Sequence, residues 1–324
     1  MNNKLQKLKE KDYDYKVSVC IITYNQAEYI ERAIKGALRQ KVDFPYEIII
    51  GDDGSTDGTQ EILLDYKEKY PDLIKLHLHE EHWEDGIPGR LNNITNINSA
   101  QGKYIAFCDG DDYWICENKL QKQADFMDAN PEYSFCFTNV EYVWSHLEKK
   151  NRELKKLFYP LRKSRSMSKK EFTLRNFPVG ASSTFYKASC IKNPPKWFWE
   201  IYSADIALQL IAVEQGKCYY FSKLMSIQYK NPGSVTQNFT KKREYEIQIS
   251  NAEIFKSNLG KKNSYIWEVD SRKFFMKFLW EKDGGSSIKS LIYLVKAVYK
   301  DLNTIEFIYK GIISKIYRKF YVRD

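Results

Sequence analysis

At 324 residues, 43% of them hydrophobic and 29% charged, the chain has a globular composition and the length for a substantial core. Its formal net charge of +9 points to an anionic partner, whether a nucleotide, a phospholipid surface or a nucleic acid. The six cysteines form no C-x-x-C pair, and neither a signal-peptide core nor an apolar run of membrane-spanning length occurs, so reduced, buried thiols and a cytoplasmic location are expected.

After a polar lead-in at residues 1–16, Val17-Ser-Val-Cys-Ile-Ile-Thr23 has the β-branched, doubly apolar character of a buried parallel strand. Asn25 is placed to cap the following helix, in which Ile30, Ala33, Ile34, Ala37 and Leu38 recur at helical spacing. Tyr46-Glu-Ile-Ile-Ile50 reads as a second buried strand, and the turn-rich Gly51-Asp-Asp-Gly-Ser-Thr-Asp-Gly58 opens a helix from Thr59 to Tyr70. A third strand at Leu73 to His79, a helix from about Leu91 to Ala100 and a fourth strand at Lys103 to Cys108 continue the alternation. Such a pattern predicts an α/β fold, a mostly parallel sheet flanked by helices, with ligands bound outside the carboxyl ends of the strands.

A helix from Asn118 is ended by Pro131, and Tyr133 to Tyr142 reads as another strand. Residues 146–176 turn basic and lose periodicity, as in a mobile loop or a short insertion. A core segment, Gly180 to Tyr186, precedes Pro194-Pro195 and the aromatic run Trp197-Phe-Trp199. Beyond about Tyr245 the pattern is helical, so the expected division is an α/β domain at 17–240 and a basic, amphipathic helical region at 241–324.

Two acidic clusters fall at strand ends. In Gly51-Asp52-Asp53-Gly54-Ser55-Thr56-Asp57 an Asp can accept hydrogen bonds from a nucleobase N–H or ribose hydroxyls, and small neighbours let a planar ring approach; a helix-capping turn explains the same residues. In Asp109-Gly-Asp-Asp112 closely spaced carboxylates can share a hard divalent ion, which would relieve their mutual repulsion; the alternative is an acidic surface turn. His77, His79 and His82 lack a completing ligand at zinc spacing and read as structural, and the 197–199 aromatics suit an acceptor wall or local packing.

Thr23-Tyr-Asn25, the Asp-Asp-Gly-Ser-Thr-Asp loop and Gly102-Lys-Tyr-Ile-Ala-Phe-Cys-Asp-Gly-Asp-Asp-Tyr-Trp114, in that order and separation, resemble the inverting family 2 glycosyltransferases with the GT-A nucleotide-diphospho-sugar transferase fold. The likeness covers about 17–236 and is nearest to bacterial members that decorate surface polysaccharides. It implies a donor site made by Thr23, Tyr24, Asn25, Glu28, Asp52 or Asp53, Arg90, Asp109 and Gly110, and a Mn²⁺ or Mg²⁺ site made by Asp109, Asp111 and Asp112. Asp205, opening the apolar segment Asp205-Ile-Ala-Leu-Gln-Leu-Ile-Ala, matches the family's catalytic base, although Ala204 stands where a Glu often precedes it and an N-cap role also fits. Gln228-Tyr-Lys-Asn-Pro-Gly-Ser-Val-Thr236 resembles a diphosphate-binding loop whose histidine is missing here and whose arginine is replaced by Lys230.

The resemblance implies transfer of a sugar from a nucleoside diphosphate sugar, a UDP-sugar first, to a glycan or lipid-linked acceptor, with no nucleic acid partner and with room for a homo-oligomer. The alternatives are an idle nucleotide-sugar-binding scaffold, which would be expected to lose the carboxylates, and a nucleotidyltransferase, which would need a Gly-rich basic loop that Thr23 to Tyr29 lacks. From Ser286 onward Ile288, Leu291, Ile292, Val295 and Val298 recur at helical spacing among many lysines and arginines. That tail suits either peripheral binding to the inner face of the plasma membrane or packing on protein.

Overall fold

The computed structural model describes residues 13–82, 89–144, 163–169, 172, 179–230, 240–259 and 293. The chain forms two compact units, one of Met1–Phe172, Phe177–Pro194 and Leu208–Pro232, the other of Thr173–Asn176, Pro195–Ala207 and Gly233–Asp324.

The first unit opens with β1 (Tyr15–Thr23), α1 (Ile30–Leu38), β2 (Tyr46–Asp52), α2 (Thr59–Lys69), β3 (Ile74–Leu78), α3 (Arg90–Ser99) and β4 (Gly102–Asp109), close to the expected alternation. It continues with β5 (Tyr113–Trp114), α4 (Lys119–Ala129), β6 (Tyr133–Trp144), β7 (Arg165–Met167), a 3-10 turn at Ala181–Ser183, β8 (Thr184–Lys187), the short α5 (Ala188–Ile191) and β9 (Lys217–Lys230). In strand order β3-β2-β1-β4-β8-β6-β9-β5, with β7 on β9, the sheet changes character halfway. The β3-β2-β1-β4 half is parallel throughout, whereas β8 is antiparallel to both β4 and β6, β9 is parallel to β6, and β5 and β7 are antiparallel to β9.

Why these residues form these strands follows from burial. Val17, Val19 and Ile21 of β1 and Ile48 and Ile50 of β2 pack under Ile30, Ala33, Ile34 and Ala37 of α1, all of them buried. The other sheet half is held by aromatics: Phe135 stacks on Tyr186 at 5.3 Å, and Phe126 lies 4.1 Å from Tyr219. Much of the aromatic content therefore serves the core, where each ring removes a large apolar area from water.

Order 3-2-1-4 puts the reversal of winding between β1 and β4, the position at which an open α/β sheet leaves a crevice beyond its strand ends. Register aligns those ends, with Thr23 opposite Asp52 and Ile22 opposite Asp109.

The second unit contains a 3-10 turn at Lys196–Trp199, the first residues of α6 (Ala204–Val213) and α7 (Lys241–Leu259). Trp197 and Phe198 are buried, with Trp197 edge-on to Phe255 at 5.9 Å, while Trp199 is 48% exposed. No described helix is long and apolar enough to cross a membrane. Most of the basic stretch at 146–176 and the amphipathic tail from Ser286 lie outside the described residues.

Candidate active site

The ends of β1, β2 and β4 are laced together by main chain. Asp53 N–H donates to Thr23 O at 3.1 Å, and Gly110 N–H donates to Ile22 O at 2.8 Å. Asn25 adopts φ 49°, which Asn tolerates better than most side chains, and does not cap α1 as expected. Its Oδ1 accepts Thr56 N–H at 2.9 Å and its N–H donates to Ser55 Oγ at 2.8 Å, so it binds the first loop to the second. Helix α1 starts four residues later than that cap would require, after Tyr29, with no side-chain cap.

The neighbouring carboxylates Asp52 and Asp53 have different fates. Asp52 is fully buried and committed to its own turn, its Oδ1 accepting Ser55 N–H at 2.9 Å and Gln60 Nε2 at 2.6 Å and its Oδ2 accepting the Ser55 hydroxyl. Asp53 points the other way, with Oδ2 3.0 Å from His82 Nδ1. The His82 ring lies on Tyr24, centroids 3.9 Å apart and planes 16° from parallel. Gly54 makes this approach possible: it has φ 75°, and a Cβ there would stand 2.5 Å from Glu81 C and 2.6 Å from His82 N. His82 is thus held against the two loops, and His77, 2.9 Å from Ser99 Oγ and held low in pKa mainly by burial, packs locally as well.

The Asp109–Asp112 turn also divides. Asp109 and Asp111 are half-buried, and Gly110 between them has no room for a side chain, since a Cβ would lie 2.3 Å from Gln26 Oε1 and 2.9 Å from Thr23 Cβ. Asp112 is turned inward, where Oδ1 accepts Tyr229 N–H at 2.9 Å. Burial, and then the charges of Asp109 and Asp111, push its carboxyl well above the usual range, against the pull of the Ser182 hydroxyl and the Tyr229 N–H. The expectation that Asp112 joins a cation site is corrected on this ground: it is a strut between the acidic turn and β9. Among the described residues no three His, Cys, Asp or Glu side chains are grouped to hold an ion by themselves.

Beside that strut is a feature with no sequence signal, because its parts come from distant segments. The Arg32 guanidinium lies 5.1 Å from the ring centres of Tyr29 and Tyr113 and 4.5 Å from that of Tyr229, a cation held by aromatic faces. Glu28 is exposed beside Tyr29, whose side-chain pKa is raised by burial first and by Glu28 second. Arg90 opens α3 and is buried, which lowers its pKa to about 10. Lys230 closes β9 opposite Trp144, and residues 231–236 of the expected diphosphate loop lie outside the described residues.

In the second unit Asp205 is exposed in the first turn of α6. The cap position belongs to Ser203, whose O accepts Ala207 N–H at 3.0 Å and whose Oγ accepts Asn251 Nδ2 at 3.2 Å. Asn251 also accepts Tyr202 N–H at 3.0 Å. Asp205 therefore does not serve as the N-cap, the alternative that the sequence left open.

Residues 18–191 match the Glycosyl transferase family 2 model. The uncharacterised protein Rv1520 of Mycobacterium tuberculosis is 35% identical over 171 residues, which are 53% of this chain and 46% of that protein. The GalNAc(5)-diNAcBac-PP-undecaprenol beta-1,3-glucosyltransferase of Campylobacter jejuni is 30% identical over 218 residues, 65% of this chain and 64% of that protein. The chain spans about half the length of the mycobacterial relatives it matches. Among solved structures, S. aureus TarS 1-349 in complex with UDP-GlcNAc superposes with a TM-score of 0.61 at 20% identity, covering 87% of this chain and 79% of that one.

Proposed function

Since the chain belongs to glycosyl transferase family 2 and has the GT-A fold, we propose that it moves a sugar, with inversion, from a UDP-sugar to a hydroxyl of a glycan or lipid-linked acceptor in cell-surface polysaccharide synthesis. The observation that carries this reading is the meeting of Tyr24, Asp53 and the Asp109-Gly110-Asp111 turn at the switch point of the parallel half-sheet. The undecaprenol-linked substrate in the Campylobacter enzyme's name and the UDP-GlcNAc bound to TarS support the acceptor and donor classes.

In this reading the base stacks on Tyr24 and gives an N–H to Asp53, with Thr23, Asn25 and Glu28 along the rim. Asp52 acts through the loop it holds. The ribose and diphosphate run towards Asp109, Gly110 and Asp111, where Gly110 lets Thr23 and Gln26 close on the turn and so fixes the two carboxylates. Asp109 and Asp111 fit a Mn²⁺ or Mg²⁺ ion: they are an oxygen-only pair, and their charge already burdens Asp112. Such an ion, bound by two carboxylates and completed by substrate phosphates, supplies charge neutralisation for the departing diphosphate. Arg90 and Lys230 are assigned to the same phosphates. Asp205 takes the proton from the acceptor hydroxyl as that oxygen attacks the anomeric carbon opposite the leaving group.

Thermal unfolding with UDP-, GDP- and CDP-sugars, with and without Mn²⁺, tests the reading. A UDP-sugar is expected to raise the midpoint, more so with the ion, because it binds the folded state alone. Asp111→Asn and excess chelator are each expected to abolish most turnover of the stabilising donor. Undiminished turnover under both conditions would remove the ion from the mechanism.

A further inference from the structure

We propose that His82 is a resident occupant of the nucleobase site, holding Tyr24 and Asp53 in the free protein and exchanging places with the base when the donor binds. The inference rests on the reading that Tyr24 and Asp53 receive the base.

Three observations point to exchange rather than to a wall beside the base. The Tyr24 and His82 rings are 3.9 Å apart and nearly parallel, which is direct contact. A third ring between them would need a separation of about 7 Å, twice the optimal carbon–carbon distance. The Asp53 carboxylate is 4% exposed and its Oδ2 lies 3.0 Å from His82 Nδ1, so the oxygen that would read the base already faces a ring nitrogen. Finally, the position is built into the backbone. Gly54, in a left-handed conformation, admits Glu81 C and His82 N into space that any side chain would fill, and His79 N–H donates to Asp52 O at 3.0 Å, tying the end of β3 to the same loop.

The chemistry of the two occupants is matched. Imidazole lays a flat face on Tyr24 and sets a ring nitrogen 3.0 Å from the Asp53 carboxylate, and a pyrimidine imide has a flat face and a ring N–H for the same two places. The His82 side chain is 28% exposed, so it can leave towards solvent without unpacking the core. Two ligands with one docking pattern compete, and the apparent affinity for the nucleotide falls by the fraction of protein in which His82 is seated. His82 is thus a residue that tunes donor affinity, and removing it strengthens nucleotide binding rather than weakening it.

Titration calorimetry with UDP on the full chain tests this, using wild type, His82→Ala and Asp53→Asn. His82→Ala is expected to bind UDP about 3- to 30-fold more tightly, the loss of a competing stack and polar contact. Asp53→Asn is expected to bind it more weakly. Unchanged or weaker binding by His82→Ala, with Asp53→Asn impaired, would overturn the exchange while leaving the base site in place. If Asp53→Asn binds as wild type does, the base-site reading fails first.

Should His82→Ala unfold, ring signals of the wild-type protein decide the matter, because it has only four histidines to assign. Addition of UDP is expected to abolish the upfield ring-current shift that Tyr24 imposes on His82. A shift that survives saturation with UDP would show the two rings still stacked and would overturn the proposal.

Discussion

Lys119 is fully enclosed in the first unit, its Nζ 4.3 Å from the centre of the Trp114 ring and donating to Gln123 Oε1 at 2.8 Å. Burial pushes the ammonium down to about 8, only partly opposed by the thiols of Cys136, Cys108 and Cys116. Its position at the first residue of α4 adds an unfavourable helix dipole. Because the folded pKa lies below the unfolded value, the native state releases a proton that the unfolded chain still holds between about pH 8 and 10.4, so this group adds stability as pH rises through that window and adds none below it. Urea unfolding of Lys119→Met against wild type should therefore show a difference that shifts by about 2 to 3 kcal/mol in favour of wild type between pH 7 and pH 10. Taking the difference cancels the titration of buried thiols and tyrosines, and a constant difference would show Lys119 charged throughout. The residue scale is also where sequence reading met its limit: adjacent acids such as Asp52 and Asp53, or Asp111 and Asp112, are equivalent by composition, and only the direction of each side chain separates cleft from interior.

Elements with local signals were legible. Strands β1, β2 and β4 are continuous buried runs, and α1, α2 and α3 carry helical periodicity or turn residues at their starts, so their positions follow from nearest neighbours. Strand β9 was not legible as one element: its inward Cys218 and Tyr220 alternate, but the pairing with β6 slips at Thr138, Asn139 and Val140 and the alternation is lost. The start of α6 illustrates the middle case. A carboxylate before an apolar helix reads as a cap or as a base, and the structure gives the cap to Ser203. With the cap position held by Ser203, the proposed role left for Asp205 is that of the base. Asp205→Asn should keep UDP affinity but lower donor turnover by about two to four orders of magnitude. Normal turnover would move the base elsewhere, with nearby Glu200 the next to test.

For the whole molecule, the net charge of +9 and the basic, amphipathic sequence beyond Ser286 suit either an anionic surface, where the proposed lipid-linked acceptor would be met, or packing on protein. Flotation with phosphatidylglycerol vesicles should carry the full chain upward at low salt and release it at about 0.5 M, where screening shortens the reach of surface charge to a few ångströms. A chain ending at Gly284 should stay unbound while still binding UDP; flotation of both, or of neither, would remove the tail from membrane binding. The sequence by itself determined the βαβ alternation, the parallel half of the sheet and the acidic and glycine-rich loops at its strand ends, because periodicity, turn chemistry and strand-end position are local properties. Only the tertiary structure decided that Asp112 is a strut, that Asp52 is tied into its own turn while Asp53 faces His82, that Arg32 sits among three tyrosines and that His82 covers Tyr24. Each of those depends on a partner dozens of residues away or on which face of a turn is buried, and no local pattern encodes either.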